Sequence, residues 1–175
     1  MIDKAVILST GDELTTGRVV DTNSAAIADC LCAIGVEVAA VLKVGDDREK
    51  LLWAFGQARD LGDLIIGTGG LGPTADDLTT EMVGEFLGRK WKQAEAVATA
   101  LKQRFAARGL AWTENNLKQA YVFERGDVLP NANGTAPGLW AEQDGKVLVM
   151  LPGPPNELQP MFIDQVLPRL AARGL

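Results

Sequence analysis

Apolar positions along the chain alternate between short continuous runs and stretches with helical spacing. Ala5–Leu8 is a short apolar run without a helical period, and it ends in the turn cluster Ser9-Thr10-Gly11-Asp12. A helix is expected to follow, capped by Thr22 or Asn23, continuing to about Ile34 and stopped by Gly35. Val36–Val44 is rich in β-branched residues and reads as a strand. Asp46 or Asp47 then caps a helix that puts Leu51, Leu52, Phe55 and Ala58 on one face and closes at Gly62. Asp46 and Glu49 have the spacing of a capping box. Leu64–Ile66 is the next apolar run.

Helical periods over Leu78–Leu87 and Ala94–Ala107 stop at Gly88 and Gly109, and Thr113–Ala120 reads as a short capped helix. Leu139–Ala141 and Val147–Leu151 predict a strand pair around Asp144-Gly145. A last helix is expected from Asn156, its cap, to about Arg173, bent or interrupted at Pro168. Strands alternating with helices imply βαβ units and a largely parallel sheet; the late hairpin adds one antiparallel strand. The expected fold class is therefore α/β: a three-layer α/β/α sandwich forming a single domain over residues 1–175. In such sheets ligands sit beyond the carboxyl ends of the strands.

The absence of histidine changes the chemical picture most. It excludes imidazole acid–base catalysis, Ser-His triads and His-ligated zinc within this chain. Any catalysis must use carboxylates, hydroxyls, Lys or Arg, backbone amides, or a metal with oxygen ligands. A net charge of −6 argues against a nucleic-acid partner. No apolar stretch approaches ~18–20 residues, so no membrane partner is expected. Met1-Ile2-Asp3-Lys4 runs into a strand without a signal-type segment, which predicts a cytoplasmic protein. Cys30 and Cys32 are expected as buried free thiols, and Trp53, Trp91, Trp112 and Trp140 as packing residues.

The strongest chemical signal is Gly67-Thr68-Gly69-Gly70-Leu71-Gly72-Pro73-Thr74-Ala75-Asp76-Asp77-Leu78-Thr79, between a strand and a helix. Glycines let backbone amides approach a phosphate closely, and Thr68 and Thr74 add hydroxyls. The plain alternative is a tight connection with Thr74 or Asp76 as helix cap. The loop has no P-loop lysine and is not GxGxxG. Asp76 and Asp77 beside a phosphate would repel it unless a hard divalent cation, Mg²⁺, Mn²⁺ or Co²⁺, lay between. Alternatively one Asp caps the helix and the other binds a sugar hydroxyl. Asp46-Asp47 reads first as a cap, though a parallel sheet could bring the pair to the edge that carries Asp77. Thr10, Gly11 and Glu13 after the first strand, Asn131, Gly134 and Thr135 in a turn-rich loop, and Pro152, Gly153 and Glu157 after the last strand are further candidate ligand contacts.

With these residues in view the chain resembles the N-terminal domain of the CinA (competence/damage-inducible protein A) family, within the wider molybdopterin-binding superfamily. The similarity is carried by Ser9–Leu14, Asp21-Thr22-Asn23-Ser24, Val44–Asp47, Gly69–Thr79, Asn131 with Gly134–Gly138, and Leu151–Leu158, in the family's order over nearly the whole chain. The resemblance implies the same three-layer fold and divalent-metal-dependent hydrolysis of ADP-ribose to AMP and ribose 5-phosphate. Other superfamily members adenylylate molybdopterin or insert molybdenum, and their essential carboxylates match Asp46-Asp47 and Asp77. The expected catalytic residues are thus Asp77, Asp46 and Asp47, with Asp46, Asp47, Asp76 and Asp77 as metal ligands. Thr68, Gly69, Gly70, Gly72, Pro73 and Thr74 join the contacts above in binding the ligand.

Two departures stand out. Ala75 replaces a polar residue common in relatives, and Phe123 a proline. Family members often add a C-terminal domain that deamidates nicotinamide mononucleotide; with the chain ending at Leu175, that activity is expected to be absent. Three functions remain: a nucleotide pyrophosphatase, a non-catalytic module holding a nucleotide or molybdopterin, and a molybdenum-cofactor transferase. A homo-oligomer is expected from the superfamily.

Overall fold

The computed structural model describes residues 2–173. Met1 and the last two residues, which the expected 1–175 domain included, lie outside the described residues. In chain order the elements are β1 (Lys4–Thr10), α1 (Asp12–Thr15), α2 (Thr22–Ala33), β2 (Glu37–Val44), α3 (Arg48–Leu61), β3 (Leu64–Thr68), α4 (Thr79–Leu87), β4 (Trp91–Gln93) and α5 (Glu95–Ala107). A 3₁₀ helix (Glu114–Ala120) follows, then β5 (Tyr121–Phe123), β6 (Gly126–Leu129), β7 (Gly138–Gln143), β8 (Lys146–Leu151), α6 (Pro155–Met161), a π turn (Phe162–Val166) and α7 (Leu167–Ala171).

Six strands form one sheet in the order β2-β1-β3-β8-β7-β6. β2, β1, β3 and β8 are parallel, and β7 runs antiparallel between β8 and β6. β4 and β5 pair separately as a small antiparallel ribbon. Alternation along β1 divides the core. Val6 and Leu8 pack with Leu51, Phe55 and Ala58 of α3 and Met82 and Val83 of α4. Ala5 and Ile7 pack with Ile27 and Leu31 of α2 and with Leu158, Phe162 and Leu170 at the end of the chain. The sheet is thus covered on both faces, which is why β1 and β3 are continuous apolar runs. The three-layer sandwich with one antiparallel strand is the fold the sequence predicted.

The chain adds β2 on one side of β1 and then returns to add β3 on the other. α2 and α3 therefore lie on opposite faces, and a crevice opens between the carboxyl ends of β1 and β3, the switch point where open α/β sheets bind ligands.

Several local expectations are corrected. Asp21, not Thr22 or Asn23, caps α2, accepting from the Ser24 amide at 2.9 Å. Of the two caps expected for α3, Asp47 serves, accepting from the Lys50 amide at 3.0 Å. The last helix begins at Pro155 without a side-chain cap, so Asn156 does not serve as one. The interruption expected near Pro168 is the π turn: proline has no N–H to give the preceding turn, and the ladder widens there. Cys30 is half-buried and Cys32 and Trp53 are exposed, where burial was expected. Among the described residues no helix is long and apolar enough to cross a membrane.

Candidate functional site

A cleft of about 520 Å³ opens at the switch point. Its walls come from the segments after β1, β2, β3 and β8, joined by the 3₁₀ helix and the loop before β7. Gly69 and Gly70 are consecutive residues at positive φ, 89° and 67°. A side chain at Gly69 would strike the Thr10 carbonyl, and one at Gly70 the Thr79 hydroxyl, so both positions exclude a Cβ sterically as well as conformationally. The Gly69 amide donates to the Leu151 carbonyl at 3.0 Å, fastening the loop to the end of β8. The amides of Gly70, Leu71 and Gly72 have no acceptor among the described residues. α4 beyond the loop has no side-chain cap. This is the arrangement of open amides that receives an anion.

Buried hydroxyls brace the loop from below. Thr10 Oγ1 donates to the Thr68 carbonyl at 3.0 Å and lies 3.2 Å from Thr79 Oγ1. Ser9 Oγ donates to Asp21 Oδ2 at 3.0 Å and lies 2.7 Å from Ser24 Oγ. Each hydroxyl has a partner, so the strand ends are held with few degrees of freedom.

The carboxylates gather at the rim. Asp12 and Asp46 each accept the other's backbone amide at 3.2 Å. Burial pushes the Asp46 carboxyl up; the amide of Asp12 opposes this, and the charges of Asp12, Glu13 and Asp77 add to the rise. Asp77 Oδ2 accepts from the amide and hydroxyl of Thr74 at 2.8 and 2.5 Å, closing the turn before α4. Lys118 Nζ donates to the Asp77 carbonyl at 2.6 Å and lies 3.3 Å from Glu81, anchoring the same turn.

Of the residues singled out in the sequence, Thr10, Gly11, Glu13, Asp46, Thr68, Gly69, Gly70, Gly72, Pro73, Asp76, Asp77, Thr135, Pro152, Gly153 and Glu157 line the cleft together. Asp47, Thr74, Asn131 and Gly134 do not. Asp47 is exposed at the start of α3, and Thr74 is turned onto Asp77. Asn131 is buried: its Nδ2 donates to Ala136 O at 2.8 Å and Glu157 Oε2 at 2.6 Å, while its Oδ1 accepts from the amides of Asn133 and Gly134. Gly134 has no room for a Cβ because the Glu157 carboxylate occupies that space. These two residues shape the loop that presents Thr135.

Val19, Val20, Asp21, Asn23 and Gln119 line the cleft without having been singled out as contacts. Asn23 belongs to the Asp21–Ser24 motif, where its local pattern points to a helix cap and not to the cleft. Gln119 belongs to a 3₁₀ turn far along the chain, and no local pattern points from it to the glycine loop.

A family model described as "Probable molybdopterin binding domain" matches residues 6–172. The chain belongs to this family. A CinA-like protein of Dictyoglomus thermophilum is 46% identical over 164 residues, covering 94% of this chain and 40% of its own length. The chain thus spans about two fifths of that curated relative. The crystal structure of the protein CinA, of unknown function, from Thermoplasma acidophilum superposes with a TM-score of 0.86 at 34% identity, covering 93% of this chain and 95% of that one. Among members of the family, the chain is therefore CinA-like. The tungsten-cofactor-synthesizing protein MoaB of Pyrococcus furiosus shares the fold at a TM-score of 0.61 and 19% identity, covering 97% of this chain and 96% of that one.

Proposed function

We propose that the cleft binds a nucleotide through its diphosphate and hydrolyses the diphosphate bond, with ADP-ribose as the substrate and AMP and ribose 5-phosphate as products. One observation carries the reading: the cleft combines open backbone amides with the carboxylates of Glu13, Asp21, Asp46, Asp76, Asp77 and Glu157, and among the described residues no Lys or Arg lines it. A diphosphate received by the Gly70–Gly72 amides would meet net negative charge at the rim. A divalent cation resolves that conflict.

The residues fit an ion shared with the ligand rather than enclosed by protein. Among the described residues no three carboxylates converge to hold one. Asp46 offers oxygens at the mouth of the glycine loop, beside Asp77, and one or two carboxylates completed by phosphate oxygens is the usual Mg²⁺ arrangement. Bound there, a divalent ion would neutralise the phosphates and lower the pKa of an attacking water.

The chain's own groups supply the rest. Amides of Gly70–Gly72 stabilise charge growing on the phosphoryl oxygens. Asp77 Oδ2 is taken by Thr74, which leaves Oδ1 to accept the proton of the attacking water. The water oxygen bonds to one phosphorus as that atom's bond to the bridging oxygen breaks; the other phosphate leaves as its anion with the bridging oxygen, and each product keeps one phosphate.

The test is incubation of the purified chain with ADP-ribose and a panel of divalent ions. Release of AMP with Mg²⁺, Mn²⁺ or Co²⁺, abolished by excess chelator, is expected; full activity in chelator overturns the metal reading. The family description favours a second reading, a module that holds molybdopterin or a nucleotide without turnover. Tight binding with no product under every ion supports that reading instead.

A further inference from the structure

Among the described residues, two buried polar atoms of cleft-lining side chains lack partners. Gln119 is 5% exposed; its Nε2 donates to Thr135 Oγ1 at 3.3 Å, while its Oε1, out of solvent contact, accepts nothing. Asn23 repeats the pattern: Nδ2 donates to the Gly153 carbonyl at 2.7 Å, and the buried Oδ1 accepts nothing. Both residues line the same cleft. Native proteins seldom leave buried carbonyl oxygens unpaired, because each forfeits its hydration without return. Two such atoms on separate elements, α2 and the 3₁₀ helix, are more than a packing accident.

We propose that Gln119 Oε1 is a specificity-determining acceptor for a hydroxyl or amino group of the ligand, with Asn23 Oδ1 as a second acceptor on another wall. The inference rests on the diphosphate reading and extends it to the rest of the ligand. Both atoms are neutral acceptors, so they suit neutral donors and not a phosphate or carboxylate. The diphosphate lies on the glycine loop and the donor-bearing sugar or ring lies against the carboxamides. The bond from Gln119 Nε2 to Thr135 is long at 3.3 Å, so rotation about glutamine's soft terminal torsion releases it and turns Oε1 from the wall toward the ligand. A site with acceptors of this kind rejects analogues that lack the donor, because the buried carbonyl then stays unpaired.

The test compares two non-hydrolysable probes by calorimetry in Mg²⁺ buffer: α,β-methylene ADP-ribose, which carries donors, and methylenediphosphonate, which carries only the diphosphate element. Gln119→Met removes the acceptor at similar volume. It should weaken the first probe by about tenfold or more while leaving the second within about twofold. Its melting temperature should not fall, since an unpaired buried carbonyl is removed. Gln119→Glu retains an acceptor; its added charge weakens both probes, but their affinity ratio should stay near that of the wild type. Unchanged binding of both probes in Gln119→Met overturns the proposal, as does an equal loss of both. So does a Gln119→Glu ratio that collapses as in Gln119→Met, which would make the residue a donor. If wild type binds methylenediphosphonate but not the ADP-ribose analogue, the Gln119 proposal falls and the diphosphate cradle survives. If it binds only the analogue, with the Gln119 effect intact, the cradle reading falls alone.

Discussion

Asp12 and Asp46 exchange hydrogen bonds across the carboxyl ends of β1 and β2, each carboxylate accepting the other residue's amide at 3.2 Å. Asp46 is thereby held among like charges, and its carboxyl sits above the ordinary range chiefly through burial. Asp46→Asn keeps the acceptor oxygen for Asp12 and removes the charge. The variant should melt at or above the wild-type temperature at neutral pH while ADP-ribose turnover drops sharply, the usual trade at a strained site. Asp47→Ala should do the reverse, losing about 1 kcal/mol of stability with its cap and keeping turnover. Paired melts and AMP-release assays decide; wild-type turnover in Asp46→Asn removes that residue from the mechanism.

Asp77→Asn is the companion test. Asp77 does not cap α4; it closes the Thr74 turn through one oxygen. An asparagine oxygen can accept the same two bonds, so the stability cost should be about 1 kcal/mol or less. The charge is lost, and turnover should fall by at least about a hundredfold if Oδ1 takes the proton of the attacking water. A melting temperature and a rate that decline together would point to a purely structural Asp77.

Asp21 predicts a pH signature in stability. Its side chain is 3% exposed, and burial, the largest single influence, raises its pKa. The Ser24 amide and hydroxyl, the Ser9 hydroxyl and the Lys43 charge together outweigh burial and hold the carboxyl below its ordinary value of 3.8. A carboxylate whose folded pKa is depressed stabilises the fold fully above the unfolded value and loses that contribution as pH falls through the folded one. Asp21→Asn should therefore be less stable than wild type near neutral pH, with the gap closing as pH falls below 3.8. Urea midpoints across that range measure it, and a gap independent of pH would refute the assignment.

The alternation of apolar runs and helical periods was enough to reach the long strands, the main helices and the antiparallel β7, because burial on both faces of a parallel sheet leaves a local imprint. β4, β5 and β6 left none: they span three or four residues, too few to show a period. The cap of α2 is not legible locally because Asp21, Thr22 and Asn23 are all competent caps by composition, and only the Ser24 amide selects among them.

The chemistry of the site divides along the same line. The lack of histidine, the glycine-rich turn and the acidic pairs are properties of the chain itself; before folding is considered they leave carboxylates, hydroxyls, Lys or Arg, backbone amides and a metal with oxygen ligands as the means of any catalysis. Which carboxylates meet is not such a property. Asp46 comes near Asp77 because β2 and β3 flank β1, an order set by the opposite faces on which α2 and α3 bury their apolar sides. Asp47, one residue from Asp46, is turned away because the amide of Lys50 at the start of α3 needs an acceptor. Gln119 reaches the cleft only through the packing of its 3₁₀ turn against α5 and the Thr135 loop. Local spacing is written in the order of residues, but contacts between distant segments depend on which faces the whole chain buries together.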